Sequence, residues 1–327
     1  MKLGYYRIDE KKLVEEAKDG KTGKIGIKLP EGLSKYASDI IDFLKKHGIE
    51  TIFISDSCYG ACDFFEYEGI DKIIFVGEVE MPYLKKRYRI GAIEAIFDFD
   101  ENFLEMAMPF IKEKKIGLVS ITPFIHKIED CGKFFEKKGY EVFVGKKSRR
   151  TKYDGQILGC DFSSAKIVAG NVDCFVFIGD GFFHPVGLYI ATKKDVICAN
   201  PLEMRVYKDE IKEMAEKIIK KRHSVIYKAM DSKNFGIIVG RKIGQKRLEL
   251  AKRLKRKIEE KGKKAYLICM DEIDERINYL DFDCYVSTAC PRVAIDDAEK
   301  FKKPLLTPFE LEILFGERES YLMDEIY

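Results

Sequence analysis

The fold of this chain is decided by three similar stretches of sequence: KIGIKLP at 24–30, KIGLVSI at 115–121 and FGIIVG at 235–240. A helical pattern follows each stretch and ends at a glycine, directly before a second apolar run; these glycines are Gly48, Gly139 and Gly262. Short apolar runs rich in Val, Ile and Phe that alternate with helical patterns are typical of buried parallel strands. The sequence therefore predicts an α/β fold.

The same order of elements continues through each unit. A third apolar run opens with aspartate every time, as DKIIFVG from Asp71, DCFVFIG from Asp173 and DCYVSTA from Asp283. Each unit then ends in a fourth short run: AIFDF, DVICAN or PLLTPF. A period near one hundred residues is too long for a solenoid repeat. We therefore predict three repeated small parallel-sheet α/β domains in a pseudo-threefold arrangement, at residues 1–105, 106–208 and 209–327.

Composition and charge exclude several classes of protein. The 327 residues carry 58 Lys and Arg against 55 Asp and Glu, and this near balance argues against a dedicated nucleic-acid binder. The basic run KKSRRTK after Gly145 is either a solvated loop or a docking site for an acidic partner. No segment approaches the roughly 18 apolar residues of a membrane span. The first residues, MKLGYYRIDEKK, lack the apolar core of a signal peptide. We expect a cytoplasmic location.

Three of the nine cysteines, one in each unit, fall where a predicted strand gives way to a loop or helix: Cys62, Cys160 and Cys290. Ligands of open α/β sheets bind at this carboxyl edge. Three thiolates brought together there would hold a metal centre with one coordination position left open, as in catalytic metal sites. Three unrelated buried thiols, or a disulfide in a heat-adapted cytosol, are the alternatives.

The spacing of the cysteines narrows the kind of metal. Structural zinc sites usually show paired C-x-x-C knuckles, and the chain has none. The CYGAC segment supplies a C-x-x-x-C pair, but Phe65 stands where the conventional radical S-adenosylmethionine motif has its third cysteine. Thiolates scattered over nearly the whole chain favour an iron–sulfur cluster at a domain junction. Four further cysteines lie in apolar strand runs and are expected in the core: Cys174, Cys198, Cys269 and Cys284.

At this point five motifs resemble one family. CYGACD, LGCDF, STACPRVAIDD, GDGFFHP and LPEGL are similar to the archaeal diphthamide synthase family, in family order and from Lys24 to about Tyr321. The resemblance implies a homodimer and a [4Fe-4S] cluster held by Cys62, Cys160 and Cys290, with Cys58 outside the pattern. It implies that S-adenosylmethionine binds at the fourth iron. Its 3-amino-3-carboxypropyl group would pass to a histidine of translation elongation factor 2, with the electron drawn from an unidentified reductant.

Other residues of these motifs are candidates for binding the co-substrate. In GDGFFHP, Gly179 and Gly181 allow backbone to approach a ligand, Asp180 can receive an amino or ribose hydroxyl group, and His184 adds a polar group. A plain structural turn is the alternative for this motif.

Three further candidates lie in the other two units. Gln245 follows a strand and could donate a hydrogen bond, unless IGQKR is only a solvated helix start. Arg292 could clamp the methionine carboxylate, unless it pairs with Asp296 or Asp297. Glu31 contacts the substrate or caps a helix.

Two other functions remain open on the sequence. Quinolinate synthase also triplicates an α/β unit and holds a [4Fe-4S] cluster with one cysteine per unit, as a dehydratase. The motifs GDGFFHP and ACPRVAIDD disfavour it. A non-catalytic, electron-relaying accessory subunit is the second alternative, although the presence of all three motif cysteines favours a self-sufficient catalyst.

Overall fold

The computed structural model describes residues 1–19 and 23–326; residues 20–22 of the first predicted unit and Tyr327 of the third lie outside them. The strands within this part are β1 (Lys2–Leu3), β2 (Tyr6–Arg7), β3 (Ile25–Lys28), β4 (Thr51–Ile54), β5 (Lys72–Val76), β6 (Ile90–Ile93), β7 (Lys115–Ser120), β8 (Glu141–Phe143), β9 (Cys174–Ile178), β10 (Asp195–Asn200), β11 (Arg205–Tyr207), β12 (Asn234–Gly240), β13 (Lys264–Met270), β14 (Cys284–Ser287) and β15 (Leu305–Leu306).

The α-helices are α1 (Glu10–Lys18), α2 (Ala37–Lys46), α3 (Pro82–Lys85), α4 (Ile128–Lys137), α5 (Ser163–Val168), α6 (Phe183–Thr192), α7 (Asp209–Lys228), α8 (Leu248–Glu260), α9 (Pro291–Asp296) and α10 (Pro308–Leu314). Short 3₁₀ helices occupy Glu31–Tyr36, Glu101–Phe110, Ile125–Lys127, Ile243–Gln245, Glu275–Tyr279 and Ala298–Lys300. None of the helices in the described part of the chain is long and apolar enough to cross a membrane.

The fold is mixed α/β with three parallel sheets that share one strand order. The orders are β4-β3-β5-β6, β8-β7-β9-β10 and β13-β12-β14-β15, and β11 adds an antiparallel edge to the middle sheet. The apolar stretches at 24–30, 115–121 and 235–240 correspond to β3, β7 and β12, and each of these is an inner strand of its sheet. Neighbouring strands of these shared orders pair in parallel, which confirms the prediction of parallel strands. The inner strands are buried, whereas the edge strands β4, β8 and β13 are partly exposed.

Local sequence explains where the crossover helices stop. Gly48, Gly139 and Gly262 have φ of 74°, 85° and 71°, the left-handed conformation that glycine adopts without a Cβ penalty. Each lies two residues beyond the last residue of α2, α4 or α8. The chain therefore turns back at the predicted points and enters the next strand.

One predicted strand is wrong. The fourth strand of the first sheet is Ile90–Ile93, and the AIFDF run at 95–99 contributes only an isolated bridge between Ile96 and Arg7. The aromatic residues of this run pack on the middle unit instead, with the rings of Phe97 and Phe99 at 5.6 and 6.3 Å from that of Phe124. AIFDF thus covers the core of the next sheet.

The cysteines expected in the core divide unevenly. Cys174, Cys198 and Cys284 are buried, as predicted, whereas Cys269 is exposed. The difference arises because Cys269 lies on β13, which is the edge strand of its sheet and has no neighbour on one side. All nine cysteines are unpaired thiols, so the structure does not contain the disulfide that the sequence left open.

Candidate metal centre

The three motif cysteines line one cavity of about 390 Å³. Cys62 lies in the irregular segment after β4, Cys160 in the loop before α5, and Cys290 directly before α9. The prediction that one cysteine from each unit reaches a common space therefore matches the geometry. Their role as metal ligands stays a prediction.

The three thiols lie close enough to influence one another's pKa. Burial raises the pKa of Cys62 well above its usual range, and the neighbouring Cys160 raises it further. Burial, followed by the charge of Cys160, raises the pKa of Cys290 to about 12. Three thiolates cannot share this cavity unless positive charge accompanies them. A metal centre supplies that charge, so the donor set fits one.

The spacing of the donors favours a cluster over a single ion. Within residues 1–19 and 23–326, no three His, Cys, Asp or Glu side chains come close enough to hold one metal ion. A single zinc ion needs every thiolate sulfur at about 2.3 Å. A cluster of several irons holds each thiolate on a different iron, so its ligands lie further apart. Cysteines that share a cavity without converging on one point fit an iron–sulfur cluster.

The loop that carries Cys62 is held by the third unit. The amide N–H of Gly244 donates to the carbonyl oxygen of Cys62 at 3.0 Å. A Cβ on Gly244 would fall 2.4 Å from the Cβ of Cys62, so only glycine permits this approach. The neighbouring Nε2 of Gln245 lies 3.8 Å from Sγ of Cys62. The IGQKR segment thus supports the loop of Cys62, and Gln245 donates to the sulfur of Cys62. Its role as a donor to the co-substrate stays a prediction.

An ion pair with the third unit also holds the loop of Cys62 in place. Asp63 is fully buried, and its Oδ1 lies 2.7 Å from Nζ of Lys242 in the third unit. Lys242 also donates to Ser57 at 2.7 Å. The segment between β4 and β5 has no regular secondary structure, so these contacts fix the position of Cys62 in place of a ladder of backbone hydrogen bonds.

The last described residues brace the other two cysteines. The N–H of Ile326 donates to the carbonyl oxygen of Cys160 at 2.8 Å. Arg247 pairs with Asp324 at 2.5 Å and donates to the carbonyl oxygen of Ala289, directly before Cys290, at 2.9 Å. Residues 324–326 therefore connect the Cys160 loop to the start of α9.

Three predicted co-substrate residues line the cavity with the cysteines: His184, Gln245 and Arg292. Arg292 pairs with Asp296 at 2.8 Å, which is one of the two partners that the sequence offered, and its guanidinium carbon lies 4.0 Å from the centre of the Phe183 ring. Burial, followed by the charge of Arg292, lowers the pKa of His184 to about 4. His184 is therefore a neutral imidazole at neutral pH.

Four other predicted residues do not line the cavity. Glu31 is exposed at the start of a 3₁₀ helix, although Pro30 and Gly32 on either side of it are lining residues. Gly179, Asp180 and Gly181 lie between β9 and α6, away from the lining. Burial raises the pKa of Asp180, and its charge acts on the lining residue Tyr6. Their roles in binding stay predictions.

Two residues at the site escaped the sequence argument. Glu78 lines the cavity, and burial raises its pKa to about 7, with a smaller effect from Asp63. It follows the third strand of the first unit, in the same place as Asp180 in the second, and this position after a strand is the sequence signal that marks it. Arg150 is only 2% exposed and lies against Cys160, although its sequence context, KKSRRTK, is that of a solvated loop.

Comparison with known proteins agrees with this site. The family model for diphthamide synthesis proteins matches residues 29–325. The 2-(3-amino-3-carboxypropyl)histidine synthase of Pyrococcus horikoshii is 35% identical, covering 98% of this chain and 94% of the relative. The synthase of Methanocaldococcus jannaschii is 29% identical over 93% of this chain and 87% of the relative.

A solved structure shows the same fold. The crystal structure of Dph2 from Pyrococcus horikoshii with a 4Fe-4S cluster superimposes with a TM-score of 0.87 at 35% sequence identity, covering 98% of this chain and 94% of that one. A second crystal structure of the same protein gives the same TM-score. With sequence, fold and the cysteine-lined cavity in agreement, the chain belongs to the diphthamide synthesis protein family.

Proposed function

We propose that this chain transfers the 3-amino-3-carboxypropyl group of S-adenosylmethionine to a histidine of translation elongation factor 2, the first step of diphthamide biosynthesis. The observation that carries the proposal is one cavity lined by three thiols from three sheets, in a chain related along nearly its whole length to named synthases. It is an enzyme of the radical, iron–sulfur type.

The proposed metal ligands are Cys62, Cys160 and Cys290, which would hold three irons of a [4Fe-4S] cluster. When bound, the cluster supplies one electron to cleave the bond between sulfur and the γ-carbon of the methionine moiety. Three protein ligands leave one iron open, and the cavity continues beyond the cysteines to His184 and Arg292. S-adenosylmethionine is thus a co-substrate bound beside the cluster.

Residues of the chain would orient this co-substrate and keep water out. We place the carboxylate of S-adenosylmethionine at Arg292, whose guanidinium borders the cavity and forms an ion pair with Asp296. His184, neutral because of its burial, can accept a hydrogen bond from an amino group there. One wall of the cavity is apolar and includes Leu33, Val79 and Met81. Such walls exclude water and so strengthen the electrostatic interactions inside the cavity.

The proposal includes the wider organisation of the molecule. We propose a homodimer, a division into units at 1–105, 106–208 and 209–327, and a pseudo-threefold arrangement of these units. The shared strand order of the three sheets supports the repeat. The elongation factor is the protein substrate, an unidentified reductant supplies the electron, and a cytoplasmic location, expected from the sequence, belongs to the same proposal.

The test is an anaerobic reaction. The protein is reconstituted with iron and sulfide, reduced, and mixed with S-adenosylmethionine and the matching elongation factor 2, whose mass is then measured. An aminocarboxypropyl adduct on one histidine is the expected result. An intact, reducible cluster that gives no adduct would overturn the proposal and favour an accessory subunit or a dehydratase similar to quinolinate synthase.

Single variants test the ligands. Replacing Cys62, Cys160 or Cys290 with alanine should remove most of the cluster absorbance, because each thiolate holds one iron. The matched control is Cys58→Ala, which removes a buried thiol from the same loop but lies outside the proposed set. Unchanged iron content in any of the first three variants would exclude that cysteine as a ligand.

A further inference from the structure

A buried arginine at the junction of the three units has no carboxylate partner. Arg150 lies in the loop between β8 and α5 and is 2% exposed, whereas its neighbour Arg149 is exposed. Among the ion pairs of the described residues, none joins Arg150 to an Asp or Glu within 4.0 Å. A guanidinium stays protonated under all ordinary conditions, so a full positive charge is buried here.

The hydrogen bonds of this guanidinium reach all three units. Nη1 donates to Oη of Tyr83 in the first unit at 2.9 Å. Nη2 lies 3.5 Å from the carbonyl oxygen of Gly244 in the third unit and 3.8 Å from Sγ of Cys160 in its own. Nε is buried without a hydrogen-bond partner. The neutral oxygens of Tyr83 and Gly244 accept hydrogen bonds from the guanidinium group, but they do not neutralise its charge.

The loop is built to hold Arg150 at this point. Ser148 Oγ donates to Asp161 at 2.5 Å and accepts from the N–H of Arg150 at 3.0 Å. Asp161, whose charge also acts on Arg150, follows Cys160 directly and accepts from the N–H of Ser163 as well. The arginine and the cysteine are therefore connected through a short, partly buried network of hydrogen bonds.

A buried charge is costly unless it is compensated, and the carboxylate of Asp161 acts on Arg150 only from beyond ion-pair distance. Further negative charge beside the guanidinium would come from the thiolates of the cavity, since Cys160 and Cys62 also act on Arg150, and from the cluster they would hold. Hydrogen bonds to sulfur and nearby charge are two of the factors that set the potential of an iron–sulfur cluster. Each electron that enters the cluster adds one negative charge, which a fixed cation stabilises.

We propose that Arg150 is a positioning residue that compensates the negative charge of the cluster and its thiolates and thereby makes the cluster easier to reduce. The inference rests on the proposed function, since it needs a cluster in this cavity. The sequence offers two interpretations of the basic run, a solvated loop or a docking site for an acidic partner. Arg150 fits neither of them.

The experiment measures reduction rather than turnover. Wild type, Arg150→Gln and Arg150→Lys are reconstituted with iron and sulfide, and the midpoint potential is read from an anaerobic titration followed by electron paramagnetic resonance. Arg150→Gln should lower the equilibrium constant for one-electron reduction at least tenfold, a shift of about 59 mV to more negative potential. Arg150→Lys, which keeps the charge, should lie nearer the wild type.

The matched control is Arg149→Gln, which removes the same charge from the next, exposed residue and should leave the potential unchanged. Loss of iron in Arg150→Gln but not in Arg150→Lys would also support the inference, because lysine keeps the positive charge that glutamine lacks. Equal potentials in wild type and Arg150→Gln, or an equal shift in Arg149→Gln, would overturn it.

Two remaining outcomes separate a failure of this inference from one of the proposed function. Equal loss of iron from Arg150→Gln and Arg150→Lys, with the far-ultraviolet circular dichroism of wild type, would assign Arg150 a purely steric role and overturn the inference alone. A wild type that takes up no cluster would overturn the proposed function and this inference with it.

Discussion

Removing Arg222, the cation of a buried ion pair between α7 and α10, should destabilise the whole protein. Arg222 on α7 and Glu310 on α10 are 1% and 0% exposed in their side chains, and the guanidinium donates to both carboxylate oxygens at 2.7 and 2.6 Å. It also donates to the carbonyl oxygens of Ala294 at 2.5 Å and Leu305 at 2.6 Å. Arg222→Met keeps the apolar stem and removes these four bonds.

The magnitude follows from what the variant leaves behind. Glu310 would keep the hydrogen bond from the N–H of Thr307 at 2.8 Å and would be a buried charge without the cation that pairs with it in the wild type. Breaking a buried pair by removing one partner costs about 3–5 kcal/mol. The carbonyl groups of Ala294 and Leu305 also lose a hydrogen-bond donor. We do not add a separate cost for them, because the energies of neighbouring interactions are not additive. We expect the free energy of unfolding to fall by about 4 kcal/mol.

Urea denaturation of the cluster-free protein, followed by circular dichroism, measures the change. The control is Lys221→Met on the same helix, whose ion pair with Glu299 is exposed at 46% and 84% and should be worth less than about 1 kcal/mol. Arg222→Met combined with Glu310→Leu should recover part of the loss, since no charge is then buried alone. A loss below about 1 kcal/mol in Arg222→Met would refute this account of the third unit.

The remaining predictions concern the cavity. Acid should destabilise the protein through His184, whose pKa is lowered to about 4 in the folded protein. The unfolded chain therefore binds the proton at a higher pH than the folded protein does. The free energy of unfolding should fall by at most about 3 kcal/mol as the pH drops from 6.5 to 4. His184→Gln should flatten this part of the pH profile of unfolding, and an unaltered profile would contradict the assignment. Arg292→Ala should weaken binding of S-adenosylmethionine in calorimetry without loss of iron, and undiminished binding would remove Arg292 from the site. Gly244→Ala should lower iron content, because its Cβ would meet the backbone of Cys62 at 2.5 Å, whereas Gly170→Ala, with open space around it, should not.

The elements that could be predicted are those whose causes are local. The strands β3, β7 and β12 are runs of β-branched and apolar residues, and the glycines after α2, α4 and α8 supply a backbone conformation that other residues avoid. Cys62, Cys160 and Cys290 line one cavity, as expected for ligands at the carboxyl edge of the sheets. Only Cys290 closely follows a strand, β14, whereas Cys62 and Cys160 lie well within the irregular segments after β4 and β8.

What could not be predicted depends on contacts between units. The apolar run AIFDF looks like a strand, but Phe97 and Phe99 pack against Phe124 in the core of the middle unit. Arg150 lies in a basic run, and nothing local distinguishes it from its exposed neighbour. Its burial follows from Tyr83 and Gly244, which are 67 and 94 residues away in sequence.

The distribution of the three cysteines over three sheets has a consequence for how the molecule assembles. Contacts between residues far apart in sequence form slowly, since the chain must close long loops before the contact stabilises anything. Cys62 and Cys290 are at opposite ends of the chain, and the loop of Cys62 is positioned by Gly244 and Lys242 of the last unit. No single sheet can build the cavity alone. Its appearance during refolding therefore marks the end of the process, and the rate at which refolding protein gains the capacity to bind iron should equal the slowest rate in the folding reaction.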